Sequence, residues 1–194
     1  KRKNRLEILS SNLTELQQRL HELMEQLEES AKKLQKFLNQ SEVQKMLHSF
    51  SVIETSTGGL ISASFTRLSG ASKHFLEGRI LYSPEAQTKF LGSYLTVDST
   101  VSQKRTQDLA EAMLRESGTD WALAETGMAG PPISERRSRK NGLCHLGLAF
   151  STEVRYKCLE LNPFLTRKEH QLLFAIEAIN WAEEALHNLK ATSK

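Results

Sequence analysis

Two short loops carry the residue types that could do chemistry in this chain. The first, Glu54-Thr55-Ser56-Thr57-Gly58-Gly59, places three hydroxyl side chains and two glycines between an apolar run and a helical pattern. The second, Glu125-Thr126-Gly127-Met128-Ala129-Gly130, follows another apolar run. Such loops offer backbone N–H groups and, at a helix start, a helix dipole to an oxyanion or a phosphate. The alternative interpretation is that each loop only caps the element beside it.

The elements that must position these loops alternate along the chain. Short apolar runs predict strands, and segments with one apolar face predict helices. This alternation indicates a layered α/β domain, in which ligands bind where strands end. Both loops follow a predicted strand. The predicted strands span 51–54, 79–82, 121–124, 143–151 and 154–161, and the predicted helices span 60–68, 103–116 and 167–189, with a further helix starting at Ser83-Pro84-Glu85.

A long helix is predicted ahead of this α/β part. Residues 5–39 contain no Gly or Pro, and their apolar residues keep a 4-3 spacing. This pattern predicts a coiled-coil helix over residues 1–43, joined to an α/β domain over residues 44–194. We favour a coiled coil that forms a homo-oligomer or binds a protein partner, because a helix of this length extends past a small domain. The alternative is a long amphipathic helix that lies on the chain's own domain. The apolar stripe consists of Leu6, Leu9, Leu13, Leu16, Leu20, Leu23, Leu27, Leu34 and Phe37.

The charge and hydropathy of the chain limit the classes of partner that it can bind. The chain has 194 residues, and its net charge of +3 is too small to indicate nucleic-acid binding by itself. No apolar stretch is long enough to span a membrane. The basic run at 136–140 predicts a solvated loop, with contact to phosphate, RNA or an acidic partner as the alternative.

The cysteines and histidines indicate the cellular compartment of the protein and whether it holds a metal site. Cys144 and Cys158 make neither a disulfide framework nor a zinc site, and we expect both in the core of an intracellular protein, cytoplasmic or organellar. Because the chain begins at Lys1, we expect a trimmed or processed form. We predict no metal and no cofactor, because no ligand spacing is shared by His48, His74, His145 and His170.

Further motifs stand between and around the two loops. They are Gly70-Ala71-Ser72, Phe75, Gly78, Tyr82-Ser83-Pro84-Glu85-Ala86, Leu91-Gly92 and Val101-Ser102, and the second loop continues into Pro131. In this order and spacing, the two loops and these motifs resemble the C-terminal domain of the CinA family, the family of the bacterial nicotinamide mononucleotide deamidase. The resemblance covers roughly residues 44–189, and the predicted coiled coil lies outside it.

The resemblance implies a three-layer α/β/α fold that forms dimers. It also implies an enzyme that hydrolyses the amide of nicotinamide mononucleotide, giving nicotinate mononucleotide and ammonia. In the family, a serine of the first loop is the nucleophile, and a nearby lysine and tyrosine assist it. A hydroxyl residue of the second loop and a later arginine complete the site. Such chemistry needs no metal, because loop amides can stabilise the tetrahedral oxyanion.

This sequence keeps some of the family's site residues and replaces others. The nucleophile position holds Thr55, the lysine position holds Gln87, and the tyrosine is kept as Tyr82. The second-loop hydroxyl is kept as Thr126, and Arg167 matches the late arginine. The predicted catalytic positions are therefore Thr55, Tyr82, Thr126 and Gln87, and the predicted substrate-binding residues are Ser56, Thr57, Gly58, Gly59, Gly127, Gly130 and Arg167.

Two departures from the family pattern decide which function the sequence favours. The extra methyl of Thr55 crowds an attack, and the amide of Gln87 cannot act as a general base near neutral pH, so Lys89 or Ser56 would have to substitute. The leading hypothesis is a catalytically degenerate protein that works as an oligomeric scaffold or assembly subunit. The alternatives are a nicotinamide-nucleotide amidase with Thr55 as nucleophile, and a module that binds a nucleotide ligand without converting it.

Overall fold

The computed structural model of the chain describes residues 2–92, 99–130 and 140–192, with side chains from residue 12 to residue 191. Helices and strands alternate after a long first helix. The helices are α1 (Arg2–Leu38), α2 (Ser41–Gln44), α3 (Leu60–Thr66), α4 (Pro84–Leu91), α5 (Gln103–Ser117) and α6 (Arg167–Thr192), and a 3₁₀ turn covers Ala71–Lys73. The strands are β1 (Phe50–Glu54), β2 (Phe75–Ile80), β3 (Trp121–Gly127), β4 (Leu143–Phe150) and β5 (Val154–Glu160).

In the described part of the chain, five strands form one mixed sheet in the order β2-β1-β3-β4-β5. β1 pairs in parallel with both β2 and β3, whereas β4 runs antiparallel to both β3 and β5. The register places Ile53 of β1 opposite Ala124 of β3. Because parallel strands end at the same edge of a sheet, the two chemically interesting loops emerge side by side.

Helices cover both faces of the sheet, which confirms the predicted three-layer α/β/α fold. Alternate residues of a strand point to opposite faces. Trp121 and Leu123 of β3 accordingly belong to the core shared with α1, α3 and α6, whereas Ala122 and Ala124 belong to the core shared with α4 and α5. Small residues on the second face let α5 approach closely, since a Cβ added at Gly147 would lie 2.9 Å from a backbone oxygen of α5.

The second half of α1 packs into the domain's own core. Leu34, Phe37 and Leu38 are at most 3% exposed and lie in the cluster that contains α6. Leu13 is 57% exposed. The alternative interpretation of the leucine stripe, a helix lying on its own domain, therefore describes the second half of α1. A coiled coil over residues 1–43 that binds a partner stays a prediction.

The second strand begins earlier than the sequence indicated. The sequence predicted a strand at 79–82, whereas β2 starts at Phe75 and ends at Ile80. β2 is an edge strand whose residues alternate between half-buried and exposed, so it contains no continuous apolar run. Tyr82 consequently lies beyond the strand, just ahead of α4.

The environments of the cysteines differ. Cys144 is buried as predicted, but Cys158 is exposed on the edge strand β5, so its expected place in the core was wrong. No group of three or more His, Cys, Asp or Glu side chains that could hold a metal ion occurs among the described residues. None of the described helices is both long and apolar enough to cross a membrane.

Candidate active site

The loops after β1 and β3 border a cavity of about 260 Å³ at their shared edge of the sheet. The start of α4, the segment before α5 and the first residue of α6 complete its wall. Sites for small molecules have volumes of roughly 300–1,000 Å³, so the cavity is slightly smaller than that range. Its lining consists of Thr55, Ser56, Tyr82, Ser83, Pro84, Gln87, Thr100, Val101, Gly127, Met128, Ala129 and Arg167.

The cavity brings together site residues that the sequence predicted in distant parts of the chain. The predicted residues that line it are Thr55, Ser56, Tyr82, Gln87, Gly127 and Arg167. The other predicted residues, Thr57, Gly58, Gly59, Thr126 and Gly130, lie outside the lining and belong to the loops that support it. The basic run at 136–139 lies outside the described residues.

A buried carboxylate, Glu54, fixes the turn from the first loop into α3. Its side chain accepts hydrogen bonds from the backbone N–H groups of Gly59, Ile61 and Ser62 at 2.8–3.1 Å, and from Ser62 Oγ at 2.6 Å. The turn requires φ values of +65° at Gly58 and +102° at Gly59, a region that favours glycine. The first loop is therefore rigid, and its hydroxyl residues have fixed positions.

A second buried carboxylate, Glu125, joins the two loops, although it was not among the predicted site residues. Its Oε2 accepts backbone hydrogen bonds of 3.1 Å from Thr55 and Thr57, and its Oε1 accepts a short hydrogen bond from Ser56 Oγ. Burial raises the pKa of Glu125, and the hydrogen bonds from Ser56, Thr57 and Thr55 oppose that shift. The signal in the sequence is a charged residue directly after the apolar run 121–124, because a buried carboxylate needs partners.

Thr57 lies between the two buried carboxyl groups. Its Oγ1 is 2.8 Å from Glu54 Oε2 and 2.9 Å from Glu125 Oε2. A hydroxyl carries one proton, so the two carboxyl oxygens share a single side-chain donor at this point. Thr57 thus supports the loop from beneath and does not face the cavity.

Thr126 is also a supporting residue in this structure. Its Oγ1 is 2.6 Å from Thr106 Oγ1 of α5, and the side chain is fully buried. The hydrogen bond ties the second loop to α5 on the face of the sheet opposite α6. The hydroxyl therefore stabilises the position of Gly127 without lining the cavity itself.

Arg167 and Tyr82 meet at the wall of the cavity. Arg167 Nη2 donates a hydrogen bond of 3.0 Å to Tyr82 Oη. Arg167 is the first residue of α6, and a capping box holds that helix start: Thr166 N–H and Oγ1 donate to Glu169 Oε2 at 2.7 Å. A Cβ added at Gly130 would lie 3.0 Å from Arg167 Nη1, so the second loop backs the guanidinium. A fixed cation at a cavity wall suits an anionic ligand such as a phosphate.

Gln87 lines the cavity with a side chain whose two polar atoms differ in their hydrogen bonding. The side chain is 2% exposed, and its Nε2 donates a hydrogen bond of 3.3 Å to Leu81 O. Its Oε1 is buried and has no hydrogen-bond partner within residues 12–92, 99–130 and 140–191. A buried acceptor left unpaired costs about 1–3 kcal/mol, so a ligand that donates a hydrogen bond here would gain affinity. No lysine lines the cavity among the described residues, since Lys89 is exposed on α4.

The sequence of the chain is similar to the CinA C-terminal domain, whose family profile matches residues 31–186. A CinA-like protein of Chlorobium phaeobacteroides is 34% identical over 143 residues, which cover 71% of this chain and 34% of the relative. A CinA-like protein of Chlorobium chlorochromatii is 40% identical over 97 residues, which cover 48% of this chain and 23% of the relative. The chain thus spans about a third or less of the length of these relatives.

Solved structures show the same architecture. The competence/damage inducible protein CihA from Agrobacterium tumefaciens superposes with a TM-score of 0.70 at 27% identity, covering 84% of this chain and 96% of that one. A CinA superfamily protein from Klebsiella pneumoniae gives a TM-score of 0.73 at 19% identity over 84% of this chain and 98% of that one, a similarity of fold. The profile match spans most of the chain, and its first residue lies within α1. This chain belongs to the CinA C-terminal domain family.

Proposed function

We propose that the cavity binds a carboxamide that carries a phosphate, of the nicotinamide mononucleotide kind, and hydrolyses its amide to a carboxylate and ammonia. The observation that carries the proposal is the single cavity shared by Ser56, Thr55, Gln87, Tyr82 and Arg167. Hydroxyl side chains, an amide side chain and a cation all line this one cavity.

Each end of such a ligand has a complement in the lining. The unpaired Gln87 Oε1 accepts a hydrogen bond from the carboxamide NH₂. Arg167, held against Tyr82, binds the phosphate through charge-assisted hydrogen bonds. This arrangement would place the amide carbon close to the hydroxyls of the first loop. Hydrolysis through a hydroxyl nucleophile proceeds by an acyl-enzyme ester, which water then cleaves.

The test is release of ammonia and nicotinate mononucleotide from nicotinamide mononucleotide by the purified chain. We expect turnover in the parent, a raised KM in Arg167→Ala, and no change in Lys168→Ala, the exposed neighbour outside the cavity. Absence of both turnover and calorimetric binding would refute the proposal. Binding without turnover would support the ligand class and reject hydrolysis.

The second candidate is a degenerate member that acts as an oligomeric scaffold. It is favoured by the exposure of Leu13 on α1 and by Gln87, an amide where the family has its lysine. This candidate predicts sedimentation as an oligomer, a shift towards monomer in Leu13→Lys, and no shift in the exposed control Gln17→Lys. A monomeric parent that captures no partner protein contradicts it. Turnover that appears only in Gln87→Lys would show a cavity that has lost its base.

A further inference from the structure

We propose that Ser56 is the nucleophile of this site and Glu125 its general base, an inference that rests on the proposed hydrolysis of an amide in the cavity. The sequence pattern placed the nucleophile at Thr55 instead. The two neighbouring hydroxyls both line the cavity, so geometry has to decide between them.

Only one of the two hydroxyls has a base beside it. Ser56 Oγ donates a short hydrogen bond to Glu125 Oε1. The Thr55 hydroxyl makes no hydrogen bond to any residue within 12–92, 99–130 and 140–191, although the backbone N–H of Thr55 is bound to Glu125. A serine hydroxyl is a weak nucleophile until a neighbouring base takes its proton. Serine also lacks the methyl that crowds an attack by threonine.

The carboxyl group of Glu125 is oriented for this role. Its Oε2 is held by the N–H groups of Thr55 and Thr57, which leaves Oε1 facing Ser56. The group is fully buried, and burial raises its pKa, which makes the carboxylate a stronger base than one in water. The loop that carries the nucleophile thus also fixes its base.

Gly127 lets the pair form at the edge of the cavity. A Cβ added at residue 127 would lie 2.5 Å from Ser56 Oγ, 2.9 Å from Glu125 Oε1 and 3.0 Å from Phe174 Cε2. The Ser56 hydroxyl therefore occupies the space that a larger side chain at residue 127 would fill. Ser56 and Gly127 both line the cavity, so the residue that carries the hydroxyl borders the space in which substrate would bind.

The reaction balances without a further group. Ser56 Oγ forms a bond to the carboxamide carbon, its proton passes to Glu125 Oε1, and the carbonyl π electrons move to oxygen as an oxyanion. Glu125 then gives the proton to the nitrogen as the C–N bond breaks and ammonia leaves. Water attacks the resulting Ser56 ester, Glu125 accepts the proton of that water, and the proton returns to Ser56 Oγ as the carboxylic acid departs.

The structure contains a matched pair that serves as the control. Ser62 Oγ donates a hydrogen bond of 2.6 Å to Glu54 Oε1, and Glu54 is as deeply buried as Glu125. Neither Ser62 nor Glu54 lines the cavity. If both hydrogen bonds between serine and glutamate were purely structural, Ser56 and Ser62 would show the same reactivity towards a probe for nucleophiles.

The experiment is labelling of the purified chain with a fluorophosphonate, followed by digestion and tandem mass spectrometry. We expect the phosphonyl adduct on Ser56, no adduct in Ser56→Ala, and the same adduct in Ser62→Ala, because Ser62 lies outside the cavity. Glu125→Gln should slow labelling and amide turnover by roughly 10²–10⁴-fold. Ser56→Cys retains a nucleophile at the same position, and we expect it to react with iodoacetamide faster than the native Cys158.

The outcomes separate this inference from the proposed function. An adduct on Thr55, or amide turnover that survives in Ser56→Ala, overturns the inference while the amidase stands. A Ser56 adduct without turnover of nicotinamide mononucleotide supports the nucleophile and rejects the substrate. A folded parent that gives no adduct overturns the inference, as does a Glu125→Gln variant that folds and labels at the parent rate.

Discussion

Arg167 and Tyr82 are 85 residues apart in the sequence, and their side chains meet in a hydrogen bond of 3.0 Å at the cavity wall. Each residue stands beside a capped helix start. Ser83, next to Tyr82, accepts a hydrogen bond of 3.1 Å from Ala86 N–H at the start of α4, and Thr166 caps α6. Local capping signals thus fix two helix starts, and the packing of those helices forms the pair.

Removing the acceptor of this pair should weaken ligand binding. Tyr82→Phe leaves Arg167 without its hydrogen bond, so the guanidinium loses its fixed position. We expect the Kd for nicotinamide mononucleotide to rise about tenfold, the equivalent of ~1.4 kcal/mol. Titration calorimetry measures this Kd in the parent and in the variant. Tyr156→Phe is the control, because Tyr156 binds His145 on β4 away from the cavity. Equal effects of the two changes would contradict the role of the pair.

Adding one methyl group at Gly127 should disturb the centre of the site. In Gly127→Ala, the new Cβ would meet Ser56 Oγ at 2.5 Å, so the first loop must shift. We expect about 1–3 kcal/mol of lost stability in urea denaturation, together with lost ligand binding. Gly130→Ala is the comparison, since its Cβ meets the flexible end of Arg167 at 3.0 Å. The two variants should differ in stability, and equal losses would count against a rigid loop.

The cap of α6 should become weaker in acid. Burial raises the pKa of Glu169. Hydrogen bonds from Thr166 and the charges of Arg19 and His170 lower this pKa by a larger amount, so its net change is downward. A lowered folded-state pKa stabilises the fold above the unfolded value near 4.5, and this contribution is lost as pH falls through the folded value. We expect Glu169→Ala to cost about 0.5–2 kcal/mol at pH 7 and less at pH 3.5, measured by urea denaturation. A constant difference across that range would contradict the assignment.

The pH dependence of Glu125 should have the opposite sign. Its folded-state pKa is raised, so its contribution to stability is complete below the unfolded value near 4.5 and is lost as pH rises through the folded value. Relative to Glu125→Gln, the parent should therefore lose stability between pH 4.5 and neutral pH. Paired urea denaturation curves at several pH values measure this difference. A difference that grows with pH would mean that the hydrogen bonds to the carboxylate outweigh its burial.

Two leucines of α1 should respond differently to truncation. Leu34 is 1% exposed in the domain core, so Leu34→Ala should cost about 2–5 kcal/mol in urea denaturation. Leu13 is 57% exposed, so Leu13→Ala should change the stability by less than about 0.5 kcal/mol. A large, concentration-dependent loss in Leu13→Ala would instead show that a partner helix covers the first half of α1.

The sequence by itself determined the alternation of strands and helices, the layered fold and half of the cavity lining. Apolar periodicity, capping residues and the motif order of the loops are local signals, and tertiary packing did not override them. The resemblance to the CinA family implied Tyr82, Gln87 and Arg167 as site residues, and all of these line the cavity. The edge strand β2 was misplaced because half of its residues face solvent.

Only the tertiary structure decided what covers the leucine stripe and which hydroxyl has a base. Periodicity shows that a helix has an apolar face, but a partner helix and the chain's own core would both accept that face. Ser56 and Glu125 lie 69 residues apart, and their contact depends on the parallel register of β1 and β3. The register depends on which face of each strand is buried, and two strands this far apart in the sequence meet only when the sheet packs, so the residues of neither loop indicate the contact.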